Sequence, residues 1–427
     1  MRVRIQKIVY PGRSLADLDG KVVFTDAGLP GETVEVEPVR EKSSFIEART
    51  VAVVEPSPRR AEPRCGHFRA CSPWQEMEYS LQLEIKTGQV REIFSRELKL
   101  ELDGPAVVPS PKPWGYRNRV RFHILREGGE ARAAYHEPGE ERAFVAAGTC
   151  YLLPDDVNAL CADILNTINA FEIGAITDIE VRRSSADGRT LVSLEFGPGT
   201  DIAEIRKAFA DLRDRFPVAG LVGLLRDGAR VKELPLFGKP FLTESVAGAS
   251  FRLGPRSFFQ VNDDMLVAAA DEMRRVAAAL TAPRIADLYC GVGTFGVLLA
   301  HGAKEVFGVE PEPENLRYLR KNLFANEIGN YAVCEGTTEE WIGELLDRGM
   351  DLVILDPPRR GLEPSIVKAL AERPVPVIIY LSCNPATLAR DLKGLGPAYV
   401  PESVKVLDFF PQTPHIETLV VLRRAGS

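Results

Sequence analysis

The sequence predicts an α/β protein built from three parts. The first 55 residues read as short strands separated by turns, and the residues after about 262 alternate strand and helix patterns. Between them, strand-like and helix-like stretches mix without a clear period. We therefore expect a small N-terminal β-barrel over 1–62, a mixed α+β region over 63–260, and a doubly covered parallel sheet over 261–427.

Composition places the chain among ordinary soluble globular proteins. Its 427 residues are 45% hydrophobic and 26% charged, with a net charge of −7. These values exclude a disordered tail protein, a collagen-like fibre and a histone-like binder. We expect a cytosolic location, because the seven cysteines are scattered and we see no secretory signal and no apolar run of about 18 residues.

Charge is uneven along the chain. Residues 64–126 carry eleven basic and seven acidic side chains, whereas residues 264–427 carry seventeen and twenty-two. A nucleic-acid partner would therefore have to be held by local basic patches, since the overall field repels it.

The N-terminal part is predicted to be a barrel of about five short strands. Strand patterns cover 2–9, 21–25, 32–38 and 45–54, with turns at Pro11-Gly12, Asp19-Gly20 and Pro30-Gly31. Small barrels of this kind often bind oligonucleotides, and a packing or dimerisation barrel is the alternative. Residues 56–63 form a stiff, proline-rich linker.

The C-terminal part shows strands and helices in alternation, which is typical of a parallel sheet. Its helices are predicted at 263–280, 295–300, 312–325, 364–371 and 386–395, and its strands at 284–288, 305–309, 351–355 and 376–381. A further helix is predicted at 79–102, in the region before this part.

A glycine-rich turn follows the first of these strands. Gly291, Gly293 and Gly296 have the spacing that allows a tight turn and close approach of a ligand to the backbone. Glu310 ends the next strand, where a carboxylate can accept hydrogen bonds from ribose hydroxyls. NAD and S-adenosylmethionine both suit this arrangement, and a turn glycine with a surface Glu is the structural alternative.

Two further motifs follow strands of the same sheet. Asp356-Pro-Pro comes after 351–355, and Cys383-Asn-Pro comes after 376–381, so both should face the crevice of the glycine turn. Cys383 is a candidate nucleophile and Glu417, in His415-Ile-Glu-Thr, a candidate base. A buried apolar Cys and a solvated Glu are the ordinary readings of these residues. One Cys, one carboxylate and a sulfonium site are what methylation of a pyrimidine at C5 requires.

With these motifs the sequence resembles the RumA/TrmA family of S-adenosylmethionine-dependent RNA uracil-C5 methyltransferases, over nearly the whole chain. The matches, in the family order, are Phe258-Phe-Gln260-Val-Asn262, Asp287-Leu-Tyr-Cys-Gly-Val-Gly-Thr-Phe, Asp356-Pro-Pro-Arg-Arg-Gly, Ser382-Cys-Asn-Pro and His415-Ile-Glu-Thr. The C-terminal part is then expected to be a Rossmann-like methyltransferase domain.

The resemblance implies roles for individual residues. Cys383 would be the nucleophile and Glu417 the base that takes the C5 proton. The implied cofactor-binding residues are Gln260, Tyr289, Gly291, Thr294, Glu310 and Asp356. The implied substrate-binding residues are Phe258, Gln260, Asp356, Arg117, Arg119 and Arg121. Phe258 would stack on a flipped-out base, with core packing as its alternative. A strand would put the three arginines on one face, suited to phosphates, and a solvated basic face is the alternative.

The N-terminal barrel resembles the TRAM domain through Asp19-Gly-Lys-Val-Val and Leu29-Pro-Gly-Glu-Thr-Val. It would grip RNA outside the active site. The resemblance favours a uridine of ribosomal RNA, in particular 23S rRNA, with transfer RNA as the alternative. No membrane and no obligate protein partner are implied.

One motif departs from the family pattern. Relatives with an iron–sulfur cluster carry three clustered cysteines and a distant fourth, whereas here Cys65 and Cys71 are followed by Trp74, and Cys150 matches the fourth position. Trp cannot ligate iron, and four cysteines are the usual requirement. A cluster with one open iron, substitution by His67 or Cys161, zinc, and a relic packed around Trp74 all remain open.

Two other classes of protein share some of these features. A nicotinamide-dependent oxidoreductase would use the same glycine turn but gives no reason for Cys383 and Glu417. A non-catalytic RNA-binding protein would keep the fold without needing either residue.

Overall fold

A closed five-stranded barrel forms the N-terminal part of the computed structural model, which describes residues 1–102, 104–137 and 140–426. The strand order around the barrel is β1-β2-β3-β5-β4. The strands are β1 (Arg2–Val9), β2 (Arg13–Leu18), β3 (Lys21–Thr25), β4 (Thr33–Glu41) and β5 (Phe45–Glu55). Val3, Ile5, Val34 and Val36 alternate with exposed residues and fill the interior, as the period of two in a strand requires.

A helical segment follows the barrel and packs on the C-terminal sheet. It comprises α1 (Phe68–Cys71), a short 3-10 helix (Pro73–Glu76) and α2 (Tyr79–Leu98). The strand β6 (Ala106–Val108) follows it. Helix α2 ends earlier than the predicted residue 102, because Lys99 adopts a left-handed conformation with φ of 56°.

The central part is a seven-stranded sheet with order β13-β12-β11-β10-β7-β8-β9. Its elements are β7 (Arg119–Glu127), β8 (Glu130–Glu137), β9 (Glu140–Ala146), α3 (Asp155–Ala170), β10 (Ile176–Arg183), β11 (Thr190–Phe196), α4 (Ile202–Ala208), α5 (Leu212–Arg215), β12 (Val218–Asp227) and β13 (Arg230–Gly238). Every residue of β11 is buried, so this central strand has no alternating pattern for the sequence to reveal.

A hairpin and an eight-stranded sheet complete the chain. The elements are β14 (Leu242–Val246), β15 (Ala249–Leu253), α6 (Asp263–Ala278), β16 (Arg284–Leu288), α7 (Thr294–Leu299), β17 (Glu305–Glu310), α8 (Pro313–Ala325), β18 (Tyr331–Glu335), α9 (Thr338–Asp347), β19 (Leu352–Leu355), α10 (Pro364–Glu372), β20 (Val377–Ser382), α11 (Pro385–Leu395), β21 (Tyr399–Leu407) and β22 (Glu417–Arg424). Two further 3-10 helices lie at Ala300–Gly302 and Gly396–Ala398.

The order of the large sheet is β18-β17-β16-β19-β20-β22-β21-β6. The first five strands are parallel, and β22 runs antiparallel to β20, with Thr418 opposite Ser382. One apolar core lies on each face of the sheet. The predicted α/β class, with a barrel at the N-terminus and a Rossmann-like sheet at the C-terminus, is confirmed.

Two features of the fold bear on the predicted organisation. Strand β6 pairs with β21, so a piece of the region 63–260 completes the C-terminal sheet. The domain boundaries themselves stay predictions.

In the described part of the chain, none of the helices combines the length and apolar character needed to cross a bilayer.

Candidate active site

A cavity of about 500 Å3 lies at the carboxyl edge of the parallel strands. Asp356 enters it directly after β19 and Cys383 directly after β20. Because β22 is antiparallel to β20, its first residue, Glu417, lies at the same edge. The remaining lining residues are Arg117, Phe258, Gln260, Tyr289, Pro357, Pro358, Arg359, Phe410 and His415.

The turn after β20 is held by Asn384. Its side-chain oxygen accepts hydrogen bonds from the backbone N–H groups of Ala386 and Thr387 and thereby caps α11. Its amide nitrogen donates to the carbonyl of Arg359 at 3.0 Å. The sequence Cys-Asn-Pro therefore does two things: it starts a helix and it ties the Cys383 turn to the loop that carries Asp356.

Burial in the cavity raises the pKa of both of its acidic groups. Glu417 is 2% exposed, and burial together with the nearby charge of Asp356 raises its pKa well above the usual value. Burial raises the pKa of Asp356 to about 7. Within the described residues, neither carboxyl group accepts a hydrogen bond. Two carboxyl groups without partners are thus available to a ligand.

The Cys383 thiol shares this environment. Burial and the neighbouring Glu417 raise its pKa to about 11, and the positive charge of Arg359 opposes the shift. Arg359 also favours ionisation of Glu417. The Cys383 thiol is therefore mostly protonated at neutral pH, and a positive charge beside it promotes the thiolate.

The glycine turn lies between β16 and α7. Gly291 has φ of +57°, and a Cβ added there would meet nothing within 4 Å, so its outer side is open to a ligand. Gly293 has φ of +87°, and a Cβ there would lie 2.4 Å from Leu319, so this glycine serves packing. Asp287 accepts a hydrogen bond from the Gly296 N–H at 2.8 Å and so fixes the start of α7.

Glu310 ends β17 beside this turn and is 6% exposed. It accepts hydrogen bonds from the Gly291 N–H at 2.9 Å, the Glu312 N–H at 2.9 Å and the Asn315 side chain at 3.1 Å. A carboxylate has about four acceptor positions, so one is left for a ribose hydroxyl. An open glycine turn beside a buried acid fits a nucleoside cofactor such as S-adenosylmethionine.

The other predicted cofactor and substrate residues lie at different depths. Gln260 is 8% exposed and Phe258 is 60% exposed, so core packing does not explain the Phe258 ring. Tyr289 lines the cavity with φ of 66°, a left-handed conformation that is unusual for a bulky residue and accompanies functional sites. Thr294 is the first residue of α7 and is not among the residues lining the cavity.

The three predicted basic residues separate in the structure. Arg117 precedes β7, forms a backbone bridge to Asn262, and lines the cavity. Arg119 donates two hydrogen bonds to Glu180, both at 2.8 Å. Arg121 makes ion pairs with carboxylates of the neighbouring strands, Asp178 at 3.1 Å and Glu195 at 3.0 Å. Arg119 and Arg121 thus face carboxylates of the sheet, and Arg117 alone of the three reaches the cavity.

The cysteine segment, residues 65–75, is packed rather than open. Trp74 is 3% exposed and contacts the barrel through a cluster that contains Ile8 and Leu29. The Gln75 amide donates to the Cys65 thiol at 3.4 Å and to Ser72 at 2.7 Å. The Ser72 hydroxyl is in turn 3.2 Å from the Cys71 thiol.

The fit of this segment to an iron–sulfur cluster is poor. Burial raises the pKa of Cys71 to about 12 and raises that of Cys150, and the thiols of Cys65, Cys71 and Cys150 lie close enough for their charges to act on one another. Among the residues that the structure describes, no group of three or more His, Cys, Asp or Glu side chains is placed to hold a metal ion. The predicted ligands Cys65, Cys71 and Cys150 therefore do not fit a four-cysteine cluster, because the third position is an indole and the Cys65 and Cys71 thiols already contact Gln75 and Ser72.

Sequence reasoning missed three residues of the cavity as functional candidates. Arg359 is the cation that acts on Cys383 and Glu417, and it follows Asp356-Pro-Pro in the chain. His415 and Phe410 come from the loop that leads to Glu417, and their rings are 5.7 Å apart. Proximity to the motif residues was the only signal in the sequence.

Comparison with known proteins gives consistent results. A family model described as tRNA (uracil-5-)-methyltransferase matches residues 78–425. An uncharacterized RNA methyltransferase of Clostridium tetani is 30% identical, covering 99% of this chain and 97% of the relative. A second uncharacterized RNA methyltransferase, of Gloeobacter violaceus, is 31% identical over 99% of this chain and 96% of its own length.

A solved structure matches nearly the whole length of the chain. It is the tRNA (uracil-54, C5)-methyltransferase of Pyrococcus abyssi in complex with S-adenosyl-L-homocysteine, with a TM-score of 0.78 and 27% identity, covering 99% of each chain. The three parts of the chain thus have counterparts in one known structure.

Proposed function

The chain belongs to the tRNA (uracil-5-)-methyltransferase family and is an S-adenosylmethionine-dependent RNA methyltransferase, and we propose that it methylates C5 of a uridine through a covalent bond between Cys383 and C6. The observation that carries the proposal is the meeting of Cys383, Glu417 and Asp356 in one cavity, at the sheet edge that also holds the glycine turn.

Cys383 begins the reaction in this proposal. Its thiolate adds to C6 of the uracil ring, and the electron pair of the C5–C6 bond moves toward C5 and O4. The resulting enolate is nucleophilic at C5, which the free ring is not. Because burial disfavours the thiolate, we expect Arg359 to promote its formation.

When bound, S-adenosylmethionine supplies an electrophilic methyl carbon and a positive charge. On the protein side, Gly291 offers an open backbone and Glu310 one free acceptor position for the nucleoside. Gln260, Tyr289, Thr294 and Asp356 are the further contacts that we propose for the cofactor.

Glu417 ends the reaction. Its carboxylate takes the C5 proton, the C5–C6 double bond forms again, and the bond between C6 and the Cys383 sulfur breaks with release of the thiolate. Burial raises the pKa of Glu417, which makes its carboxylate a stronger base toward this proton.

Three cavity residues are proposed to hold the uracil. Asp356, when ionised, can accept a hydrogen bond from N3–H, which cytosine lacks. Gln260 offers an amide to the ring edge, and the exposed ring of Phe258 can stack on a base that has left its helix. A neutral Asp356 would donate instead, so recognition of N3–H requires the ionised form.

The wider RNA contact is proposed to involve the barrel and the basic residues near the cavity. The barrel is closed, as in folds that bind oligonucleotides, and its TRAM-like motifs support this role. Arg117 is the basic residue most favoured for a phosphate near the target base, with Arg119 and Arg121 secondary because they are already paired.

The RNA class that we propose is ribosomal, in particular 23S rRNA, on the strength of the TRAM-like motifs. Transfer RNA is the second candidate, because the Pyrococcus abyssi structure that matches the whole chain is that of a tRNA (uracil-54, C5)-methyltransferase. Either substrate suits the cytosolic location that the scattered cysteines predict.

Mapping of 5-methyluridine tests this proposal. We expect mass spectrometry of rRNA and tRNA from cells without the gene to show loss of 5-methyluridine at one or more positions. The purified protein should restore it with S-adenosylmethionine, and Cys383→Ala protein should not. Unchanged 5-methyluridine in both RNA classes, with no incorporation by the purified protein, would contradict the proposal.

A further inference from the structure

The inner face of helix α2 is polar, although a helix usually presents apolar residues to a protein core. Tyr79, Gln82 and Lys86 are spaced three and four residues apart and therefore lie along one stripe of the helix. Gln82 and Lys86 are each 0% exposed. Burial of a polar or charged side chain costs free energy unless it finds partners, so the partners of this stripe indicate what it contributes.

Lys86 binds the loop 408–416, which joins β21 to β22. Its ammonium donates to the Asp408 carboxylate at 2.6 Å and to the backbone carbonyl of Phe410 at 3.0 Å. The Tyr79 hydroxyl donates to the second carboxylate oxygen of Asp408 at 2.7 Å. Two side chains of α2 therefore hold the start of this loop through charge-assisted hydrogen bonds.

Gln82 holds the middle of the same loop. Its amide nitrogen donates to the Gln412 side-chain oxygen at 2.9 Å, and its amide oxygen accepts from the Gln412 backbone N–H at 2.8 Å. The Trp74 N–H, just before α2, donates to the Gln412 carbonyl at 3.1 Å. The loop is thus hydrogen-bonded to the helical segment at two separate residues, Asp408 and Gln412.

These two anchored residues flank a part of the catalytic cavity. Phe410 lies between Asp408 and Gln412 in the chain, and it lines the cavity together with His415. The Phe410 and His415 rings are 5.7 Å apart, with an angle of 74° between their planes. The contacts with α2 therefore fix one side of the cavity, formed by these two rings, which we call the Phe410–His415 wall.

Stability alone does not explain the Lys86–Asp408 pair. Both side chains are completely buried, and the desolvation of two charges offsets most of their attraction. A pair of apolar side chains of similar volume often gives equal or higher stability at such a position. The ion pair differs from an apolar pair in its directionality, because the ammonium binds both Asp408 and the Phe410 carbonyl and so selects one loop conformation.

We propose that Lys86 is a positioning residue, through which α2 holds the Phe410–His415 wall in place. Asp408 and the Phe410 carbonyl connect the ammonium to the wall. The wall confines the target base, so that its C6 atom stays within reach of the Cys383 sulfur. Lys86 itself does not touch the base and takes part in no bond that forms or breaks. The proposal rests on the proposed function, in which Cys383 is the nucleophile.

The test compares two variants of the full-length protein with wild type. Lys86→Met keeps much of the side-chain volume and removes the ammonium. Lys86→Met/Asp408→Leu removes both charges, so that no unpaired charge is left in the core. Lys405→Met is the matched control, because it breaks a partly exposed ion pair of 2.7 Å between the same sheet and Glu272 of α6.

Three quantities are measured for each protein. Single-turnover transfer of labelled methyl groups to total RNA from cells without the gene gives the rate at saturating RNA and S-adenosylmethionine. Titration with S-adenosylhomocysteine gives the affinity for the cofactor product and the number of folded cofactor sites, to which the transfer rate is normalised. The melting temperature reports stability.

We expect Lys86→Met to lower the melting temperature, because it leaves the Asp408 carboxylate buried without its cation. It should also slow methyl transfer about 10²-fold, through displacement of the wall. In Lys86→Met/Asp408→Leu the melting temperature should return toward the wild-type value, while transfer stays at least about ten-fold slower than in wild type. The affinity for S-adenosylhomocysteine should be unchanged in all variants, and Lys405→Met should transfer methyl groups within about two-fold of wild type.

Recovery of the melting temperature and the transfer rate together in the double variant would overturn the proposal, since Lys86 would then serve stability alone. A wild-type transfer rate in Lys86→Met, or loss of S-adenosylhomocysteine binding in parallel with transfer, would overturn it as well. Failure of the proposed function looks different: wild type and Cys383→Ala would then transfer methyl groups alike, whatever the Lys86 variants show.

Discussion

The catalytic cavity and the cysteine segment both contain cysteines beside polar residues, but they differ in whether their polar groups have hydrogen-bond partners. In the cavity, the carboxyl groups of Asp356 and Glu417 have no hydrogen-bond partner within the described residues. In the cysteine segment, Gln75 and Ser72 contact the thiols of Cys65 and Cys71. Groups left without partners at the edge of a parallel sheet are ready for a ligand, whereas groups that bind each other are part of the packing.

In strand β7, as in the cysteine segment, polar side chains are already paired with other groups of the protein. Arg119 and Arg121 are saturated by carboxylates of neighbouring strands, while the Nε atom of the cavity residue Arg117 is buried without a partner. Pairing within the protein therefore distinguishes Arg117 from Arg119 and Arg121, and a phosphate contact stays a prediction for all three.

The largest difference is expected between two cysteine substitutions. Cys383→Ala removes the nucleophile and should lower the rate of methyl transfer by at least about 10³-fold. Cys71→Ala removes a packed thiol and should change that rate less than about three-fold, because the segment holds no reacting group. The measurement is incorporation of labelled methyl groups into RNA. An equal loss of methyl-transfer rate in both variants would contradict the distinction between the catalytic cavity and the cysteine segment.

The second largest effect is expected at Glu417. In Glu417→Gln the C5 proton has no base, so turnover should fall about 10²- to 10⁴-fold while a Cys383–RNA adduct accumulates. A denaturing gel measures the adduct, and cofactor binding should be unchanged. Glu344→Gln is the control, since Glu344 forms an exposed ion pair with Arg348 on α9. Turnover of Glu417→Gln at the wild-type rate would show that another group is the base.

A smaller effect is expected on RNA binding. Loss of the stacking ring in Phe258→Leu should weaken binding by about 1–3 kcal/mol, whereas Arg119→Gln should weaken it by less than about 1 kcal/mol because Arg119 is already paired. Filter binding at fixed salt measures both affinities. A stronger effect at Arg119 would restore the predicted phosphate role of strand β7.

A further effect, on stability rather than on activity, is a pH-dependent gain of stability in Asp356→Asn. The pKa of Asp356 is raised to about 7 by burial, so the unfolded chain ionises at lower pH than the folded protein does. Wild type therefore loses stability as the pH rises from about 4 to about 7, and the Asn variant lacks this loss. The melting temperature of the variant relative to wild type should rise over that range and then level off. A difference independent of pH would contradict the raised pKa of Asp356.

The sequence predicted the C-terminal sheet well because its strands are short, apolar and separated by amphipathic helices. The strand at 284–288 and the helix that begins at 263 have the predicted starts. Strand β18 and helix α9 were missed, although the capping box of Thr337 and Glu340 is visible in the sequence. Strand β18 is partly exposed at the sheet edge, which weakens its apolar signal.

The sequence predicted that Cys383 and Asp356 meet at one edge of the sheet, but it did not predict the contacts that other candidate residues make. Chain order places Cys383 and Asp356 after parallel strands, and topology then brings them together. Nothing in the sequence indicates that Arg119 and Arg121 meet carboxylates of β10 and β11, because those strands are distant from β7 in the chain. The same holds for Trp74, whose partners come from the barrel.

Trapping on 5-fluorouridine RNA tests the central claim most directly. Fluorine replaces the C5 proton and cannot be removed as a proton, so the ring should stay bonded to the enzyme after methyl transfer. We expect a denaturation-resistant complex in which mass spectrometry finds the nucleotide on the peptide containing Cys383, and no complex with Cys383→Ala. A stable adduct on a different residue, or methylated product without any adduct, would contradict the account.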